Sequence, residues 1–162
     1  MRIKVIIVCF LAVLLSACGT LPGSRDGAGM RERLANSARG NEVALYALGL
    51  VETPYRFGGK EPAGGFDCSG MVAYVFGHAV GFRISGNAAD IAHHGQAVSR
   101  QQLHPGDLIF FNTLNRPLSH VGIYIGGERF VHAPSSNGKV RIDRLDNSYY
   151  AERYDMARAY FD

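Results

Sequence analysis

Residues 119–133 have the sequence SHVGIYIGGERFVHA, in which two segments rich in β-branched and aromatic residues flank a glycine-containing turn. This pattern predicts an antiparallel β-hairpin. Three-residue hairpin loops favour a glycine in the left-handed conformation, and Gly126-Gly127-Glu128 meets that requirement. With this loop, Ile125 faces Arg129, and the pairing of every residue further along both strands is fixed.

The predicted hairpin brings two histidines together. Side chains alternate between the faces of a strand, so one face carries His120, Gly122, Tyr124, Phe130 and His132. His132 is then a diagonal neighbour of His120, with about 7–8 Å between their backbones, and Gly122 leaves the space between the imidazoles open. A two-residue loop would instead put the two histidines on opposite faces. The other face is predicted to pack against the core and carries Val121, Ile123, Ile125, Val131 and Ala133.

The remaining segments place this hairpin in an α+β fold. Helices are predicted first: one with Asn41 as its N-cap that is stopped by Pro54, one starting at Asp67 or Cys68, and a shorter one over residues 87–94. Strands are predicted at 107–112, 120–125, 129–133, 140–145 and 154–161. Helices followed by an antiparallel meander are typical of α+β domains. We therefore expect N-terminal helices packed on an antiparallel sheet of about five strands.

A cysteine lies at the predicted start of the second helix, within Phe66-Asp67-Cys68-Ser69-Gly70. The free N–H groups and the dipole at a helix N-terminus favour an anion, and a thiolate there has a lowered pKa. The same N–H groups are suited to hold the oxyanion of a tetrahedral intermediate. The sequence therefore predicts that Cys68 is a nucleophile, with Asp67 as the cap of its helix.

A thiol nucleophile needs a base, and the hairpin supplies a candidate. His120 is predicted to take the thiol proton and to return it to the leaving amine. His132 is predicted to bond the far nitrogen of His120 and to fix its tautomer, a role that a carboxylate or an amide fills in other triads. No role is assigned to His78, His93, His94 or His104.

The N-terminal residues have the features of a lipoprotein leader. Arg2 and Lys4 precede an apolar run over residues 5–15, which is too short to span a bilayer, and Leu15-Ser16-Ala17-Cys18 follows. A cysteine directly after small residues resembles the lipobox of bacterial lipoproteins, which implies cleavage before Cys18 and its lipidation. An ordinary signal peptide or an uncleaved anchor is the alternative. We expect a signal peptide at 1–17, a lipidated cysteine and flexible tether at 18–40, and the catalytic domain at 41–162.

Charge and cysteine content narrow the function classes. Cleavage would remove two basic and no acidic residues from 17 Lys+Arg and 14 Asp+Glu, which lowers the net charge from +3 to +1. No basic block remains that would argue for nucleic-acid binding. Cys9 would leave with the leader and Cys18 would carry lipid, so Cys68 would be an unpaired thiol in an oxidising compartment.

Five motifs carry a family resemblance. They are Thr53-Pro54-Tyr55-Arg56-Phe57-Gly58-Gly59, Asp67-Cys68-Ser69-Gly70, Pro105-Gly106-Asp107-Leu108-Ile109-Phe110-Phe111, Ser119-His120-Val121-Gly122-Ile123-Tyr124-Ile125-Gly126 and Phe130-Val131-His132-Ala133. In order and spacing they resemble the NlpC-type peptidases, papain-like enzymes that cut the peptide stems of bacterial peptidoglycan. The resemblance covers residue 41 to the C-terminus, and it implies a papain-like fold that uses no metal or other cofactor.

The resemblance also implies a reaction and residue roles. Cys68 matches the nucleophile, His120 the base and His132 the orienting residue. Tyr55 matches the tyrosine that assists near the oxyanion, and the residues that match substrate-binding positions beside the nucleophile are Asp67 and Ser69. The implied reaction is hydrolysis of the D-Glu–diaminopimelate bond within a stem or of the diaminopimelate–D-Ala cross-link, and the sequence does not choose between them.

Partners and location follow from the same features. We expect binding to peptidoglycan stems, membrane attachment through Cys18, no nucleic acid and a monomer. Gly19 stands where an aspartate would retain the protein at the inner membrane, which favours the periplasmic face of the outer membrane.

Several alternatives stay open at this level. The same fold and thioester chemistry suit an amidase or an acyltransferase, and a catalytically silent murein-binding lipoprotein would keep the fold without turnover. Cys68 as a buried inert thiol, Tyr55 as a packing aromatic, and a zinc site of Cys68, His120 and His132 are the further alternatives.

Overall fold

The computed structural model describes residues 25–136 and 138–161, with side chains from residue 27 onward. The chain divides into two units between Glu32 and Arg33, and the sheet and the site described below lie in the second unit. The helices are α1 (Arg25–Leu48), α2 (Cys68–Val80), α3 (Ala88–Ala92) and α4 (Ser148–Ala151). The strands are β1 (Lys60–Glu61), β2 (Gly65–Phe66), β3 (Gln96–Val98), β4 (Leu108–Phe111), β5 (His120–Gly126), β6 (Arg129–His132), β7 (Arg141–Arg144) and β8 (Tyr154–Ala159).

The main sheet has six strands in the order β3-β8-β4-β5-β6-β7, and every neighbouring pair is antiparallel. The predicted α+β class is confirmed, and the five predicted strands correspond to β4 to β8. The sixth strand, β3, pairs with β8 at the edge of the sheet. It was not predicted, because three largely exposed residues at an edge carry no apolar alternation to reveal it.

The sheet buries apolar side chains on both faces. Val121, Ile123 and Val131 lie on the face that packs with Met71, Val72, Val75 and Phe76 of α2. The hydrophobic stripe predicted for the hairpin is therefore core. The opposite face is covered by a second cluster that contains Ile109, Phe111, Tyr124, Phe130, Leu145 and Tyr150. Both predicted catalytic histidines lie on strands whose two faces are packed, which restricts their side chains to few orientations.

Helix α1 differs from the expectation in its first residue. It begins at Arg25, so residues 25–40 are helical where a flexible tether was expected, and Asn41 lies inside the helix and does not cap it. Good helix formers such as methionine, glutamate and leucine outweigh the scattered glycines over this stretch. The helix also ends at Leu48, before Pro54.

A close backbone contact explains one glycine of α1. A Cβ at Gly40 would lie 2.2 Å from the carbonyl oxygen of Pro105, so the helix approaches this turn at a distance that only glycine permits. The predicted leader, Cys18 and residues 18–24 of the predicted tether lie outside the described residues, and the predicted division into segments stays a prediction. Within the described part of the chain, no helix combines the length and the apolar character needed to cross a bilayer.

Candidate active site

Cys68 is the first residue of α2, as predicted, and Asp67 caps the helix. Asp67 has extended backbone angles, and its Oδ1 accepts hydrogen bonds from the backbone N–H of Gly70 at 2.6 Å and the hydroxyl of Ser69 at 3.0 Å. Its Oδ2 accepts from the N–H of Gly58 at 3.0 Å. The aspartate therefore joins the helix start to the preceding glycine-rich loop, and it holds the Ser69 hydroxyl. The substrate-binding roles expected for Asp67 and Ser69 stay predictions.

The thiol of Cys68 is protonated in the resting structure. Burial raises its pKa above the ordinary value, and the nearby charge of Asp67 acts in the same direction. Hydrogen bonds from the backbone N–H groups of Val121, Ser69 and Cys68 itself lower the pKa but do not outweigh burial. The expected net lowering of the Cys68 pKa by the helix N-terminus is therefore wrong, because removal from water disfavours the thiolate more than these donors favour it.

The hairpin reaches the predicted pairing by a different turn. Gly127 and Glu128 form a two-residue loop with positive φ values of 61° and 58°, as in type I′ hairpins. Gly126 faces Arg129, so the expected pairing of Ile125 with Arg129 is wrong. Ile125 instead lies in a β-bulge between Tyr124 and Gly126. The bulge adds one residue to β5 and compensates for the shorter loop.

The bulge restores the predicted register further along the strands. Tyr124 faces Phe130, so the predicted diagonal relation of the two histidines is confirmed. Nε2 of His120 lies 2.7 Å from Nδ1 of His132, and the two rings are nearly perpendicular at 80°. A Cβ at Gly122 would lie 2.7 Å from Cδ2 of Phe130 and 3.3 Å from Cβ of His132, so a glycine is needed at this position.

His120 is a neutral base in this environment. Burial lowers its pKa to about 3, and the positive charges of a protonated His132 and of Arg141 act in the same direction, against Asp143. Because Nε2 is bonded to His132, Nδ1 is the nitrogen that His120 has available for the cleft. A neutral imidazole that lines the same cleft as a neutral thiol has the protonation state that a general base needs.

One cleft of about 460 Å³ brings the predicted residues together. Cys68 and His120 both line it, with Tyr55, Asp67 and Ser69. The N–H of Val121, which follows His120 directly, bonds the Cys68 sulfur and ties β5 to the start of α2. The pKa of Tyr55 is raised by burial and by the nearby Cys68 and Asp67, which agrees with its place in the cleft near Cys68.

His132 lies behind His120, fully buried, and both of its ring nitrogens are engaged. Nδ1 contacts His120, and Nε2 lies 2.8 Å from Oδ2 of Asp143. This arrangement leaves no lone pair of His132 for a metal shared with Cys68. Among the described residues, no cluster of three or more His, Cys, Asp or Glu side chains is placed to hold a metal ion.

Three residues at this site were missed from the sequence: Arg141, Asp143 and Tyr150. His132 faces Arg141 across β6 and β7, and Asp143 is the diagonal neighbour of His132. The diagonal rule that pairs His120 with His132 therefore applies again one strand further, and it could have identified Asp143 from the predicted strand at 140–145. Tyr150 packs in the second apolar cluster, and its hydroxyl donates to Oδ2 of Asp143 at 2.9 Å.

Comparisons with known proteins agree with this geometry. The family model described as NlpC/P60 family matches residues 52–159. The murein DD-endopeptidase MepH of Escherichia coli is 33% identical over 147 residues, covering 88% of this chain and 54% of MepH. The gamma-DL-glutamyl hydrolase of Bacillus subtilis is 40% identical over 119 residues, covering 73% of this chain and 29% of that protein. The chain thus spans about half or less of these two relatives.

Solved structures share the fold. An NlpC/P60 family protein from Bacillus cereus superposes with a TM-score of 0.70 at 30% sequence identity, covering 76% of this chain and 40% of that one. Residues 52–159, which the family model matches, include the start of α2 with Cys68 and the hairpin with both histidines. The predicted family is confirmed, and the chain belongs to the NlpC/P60 family.

Proposed function

We propose that the protein is a cysteine endopeptidase that hydrolyses the peptide stems of peptidoglycan during cell-wall remodelling. The observation that carries the proposal is a cleft lined by Cys68, at the start of a helix, and by a neutral His120 whose Nε2 lies 2.7 Å from Nδ1 of His132. The names of the relatives, a murein DD-endopeptidase and a gamma-DL-glutamyl hydrolase, support stem peptides as the substrate class.

The geometry supports a two-step acyl transfer. Nδ1 of His120 takes the proton of the Cys68 thiol, and the thiolate attacks the scissile carbonyl carbon. The backbone N–H groups at the start of α2 and the hydroxyl of Tyr55 stabilise the oxyanion. His120 then gives its proton to the leaving amine, and a water molecule hydrolyses the thioester.

Burial gives the resting site a specific property. The thiol pKa is raised and the His120 pKa is lowered, so the neutral pair, and not the thiolate–imidazolium ion pair, is the resting state. Charge then forms at Cys68 only as the substrate carbonyl reaches the oxyanion donors. A neutral thiol is also a slower target for oxidants than a thiolate, which suits an unpaired cysteine in an exported protein.

Product masses test the proposal and identify the bond. The full chain in detergent would be incubated with purified monomeric and cross-linked muropeptides. Conversion of a dimer into two monomers with gain of one water supports cross-link cleavage, and release of a dipeptide from a monomer supports cleavage after D-Glu. A new adduct in place of water would favour an acyltransferase. No product from either substrate would contradict the peptidase and favour a murein-binding protein.

We further propose that lipid on Cys18 holds a monomeric enzyme in the cell envelope, at the periplasmic face of the outer membrane. The support is the order of basic residues, apolar run and small residues before Cys18, and Gly19 after it. In a Gram-negative host, the mass of the N-terminal peptide should show acylated Cys18, and Cys18→Ser should leave the membrane fraction. A mature chain with an unmodified N-terminus elsewhere would contradict the anchor.

A further inference from the structure

One carboxylate oxygen behind the two histidines accepts three hydrogen bonds. Oδ2 of Asp143 lies 2.8 Å from Nε2 of His132, 2.8 Å from Nε of Arg141 and 2.9 Å from the hydroxyl of Tyr150. Nη2 of Arg141 also donates to the Tyr150 oxygen at 3.2 Å. Asp143 is therefore held from two further directions while it contacts the orienting histidine.

The surrounding donors keep this carboxylate ionised. Burial acts to raise the pKa of Asp143, but the hydrogen bonds from His132, Arg141 and Tyr150 outweigh it and hold the pKa well below its ordinary value. His132 itself stays neutral, because burial lowers its pKa more than Asp143 raises it. The contact is thus a neutral N–H donor on a carboxylate that can only accept.

We propose that Asp143 is a positioning residue that sets the tautomers of both histidines and thereby leaves the base nitrogen of His120 unprotonated toward Cys68. The effect on rate rests on the proposed peptidase function. The tautomers themselves do not, because they follow from the hydrogen bonds of the resting protein.

The direction of each hydrogen bond from Asp143 through His132 to His120 follows from the chemistry of the groups. An ionised Asp143 can only accept hydrogen bonds, so Nε2 of the neutral His132 must carry the proton. Nδ1 of His132 is then unprotonated. A bare Nδ1 accepts, so Nε2 of His120 must carry a proton across the 2.7 Å contact. Nδ1 of His120 is then bare, which is the form that a general base needs.

Without the carboxylate, the hydrogen bond between His132 and His120 can also form in the opposite direction. His132 can then donate from Nδ1 to Nε2 of His120, which puts the proton of His120 on Nδ1. Such a His120 faces the thiol with an N–H group and cannot take its proton. In Ser-His-Asp triads the wrong tautomer costs about 10⁴-fold in kcat. Asp143 acts through one more imidazole, so we expect a loss of about 10²-fold.

Imidazole ¹⁵N chemical shifts test the tautomers directly in the wild-type protein. With the full chain in detergent micelles and ¹⁵N-labelled histidine, His120 and His132 should both show a protonated Nε2 and a bare Nδ1. The assignments come from His120→Gln and His132→Gln. A protonated Nδ1 on His120 in the wild type would overturn the proposal, whatever the enzyme does to murein.

Matched variants then connect the tautomers to the rate. Asp143→Ala should give mixed tautomers and a kcat lower by about 10²-fold in protein that is still folded at the assay temperature. Asp143→Asn keeps an oxygen that the guanidinium of Arg141 can hold, so it should recover part of the tautomer preference and of kcat. Asp146→Ala is the control, because Asp146 is exposed and pairs with Arg144.

The outcomes separate the two proposals. If Asp143→Ala does not fold, the wild-type shifts and Asp143→Asn still decide the question. Folded Asp143→Ala with wild-type tautomers and full kcat would overturn the positioning role. A wild-type protein that cleaves no murein but shows the expected shifts would refute the peptidase proposal and leave the inference about Asp143 intact.

Discussion

Gly122→Ala would place a methyl group against Phe130 and His132, next to the contact between His132 and His120. Its Cβ would lie 2.7 Å from Cδ2 of Phe130, about 1 Å less than an ordinary carbon–carbon contact, and 3.1 Å from the carbonyl oxygen of Val131. Phe130 is fully buried, and its ring centroid lies 4.8 Å from that of His132. A shift of the Phe130 ring away from the added methyl group therefore also moves His132.

The expected cost of Gly122→Ala has two parts. Overpacking a filled core costs about 1–3 kcal/mol, and the lower entropy of the unfolded chain returns about 0.4–1 kcal/mol. We expect a net loss of about 1–2 kcal/mol, or about 2–8 °C in melting temperature. A displacement of His132 by about 1 Å should also lower kcat by about 10²-fold.

Thermal melts measure the change in stability, and muropeptide turnover measures the change in kcat. Gly77→Ala is the control for both measurements. A Cβ at Gly77 would meet nothing within 4 Å on the exposed side of α2. Alanine there should raise stability by about 0.5–1 kcal/mol and leave the rate unchanged. A Gly122→Ala protein with wild-type stability and turnover would refute the account of the packed His120–His132 contact.

The site and its surroundings support four other predictions. The lowered pKa of His120 keeps the imidazole neutral well below pH 6.5. The kcat/KM of folded enzyme should therefore fall only as the pH approaches about 3. A decrease in kcat/KM centred near pH 6.5 would contradict this. The unfolded chain binds the His120 proton near pH 6.5, so stability should decrease as the pH falls below that value, which denaturant titrations at each pH would detect. Asp67→Ala removes the cap of α2 and should cost about 1–2 kcal/mol in urea unfolding, and no loss would contradict the capping role. Phe66→Ala should lower the free energy of unfolding by about 3–5 kcal/mol, because the Phe66 side chain is fully buried. Phe57 is 90% exposed and lines the cleft, so Phe57→Ala should change KM and leave the stability unchanged.

Local rules predicted the helix that begins at Cys68 and its cap. Asp67 and Cys68 were placed correctly because an aspartate cap and an apolar pattern with helical spacing act within a few residues. The hairpin was also predicted, although its loop was assigned the wrong length. The two-residue loop and the bulge at Ile125 compensate for each other, so the shared face of His120 and His132 does not depend on this error.

Features that depend on distant contacts were not predicted. The first turns of α1 and the edge strand β3 have weak patterns of their own. The raised pKa of Cys68 depends on burial by the whole domain, which a helix N-terminus in isolation does not reveal. Asp143 was missed because its role requires the pairing of β6 with β7, eleven residues after His132 in the chain.

Turnover of a cross-linked or monomeric muropeptide by Cys68→Ala, measured beside the wild type, tests the central claim most directly. The substitution removes the sulfur from a cleft that both proteins should retain, and matching circular dichroism spectra would establish that the fold is kept. The account predicts that wild-type protein releases stem fragments and that Cys68→Ala releases them no faster than buffer. Cleavage at the wild-type rate by Cys68→Ala would contradict it.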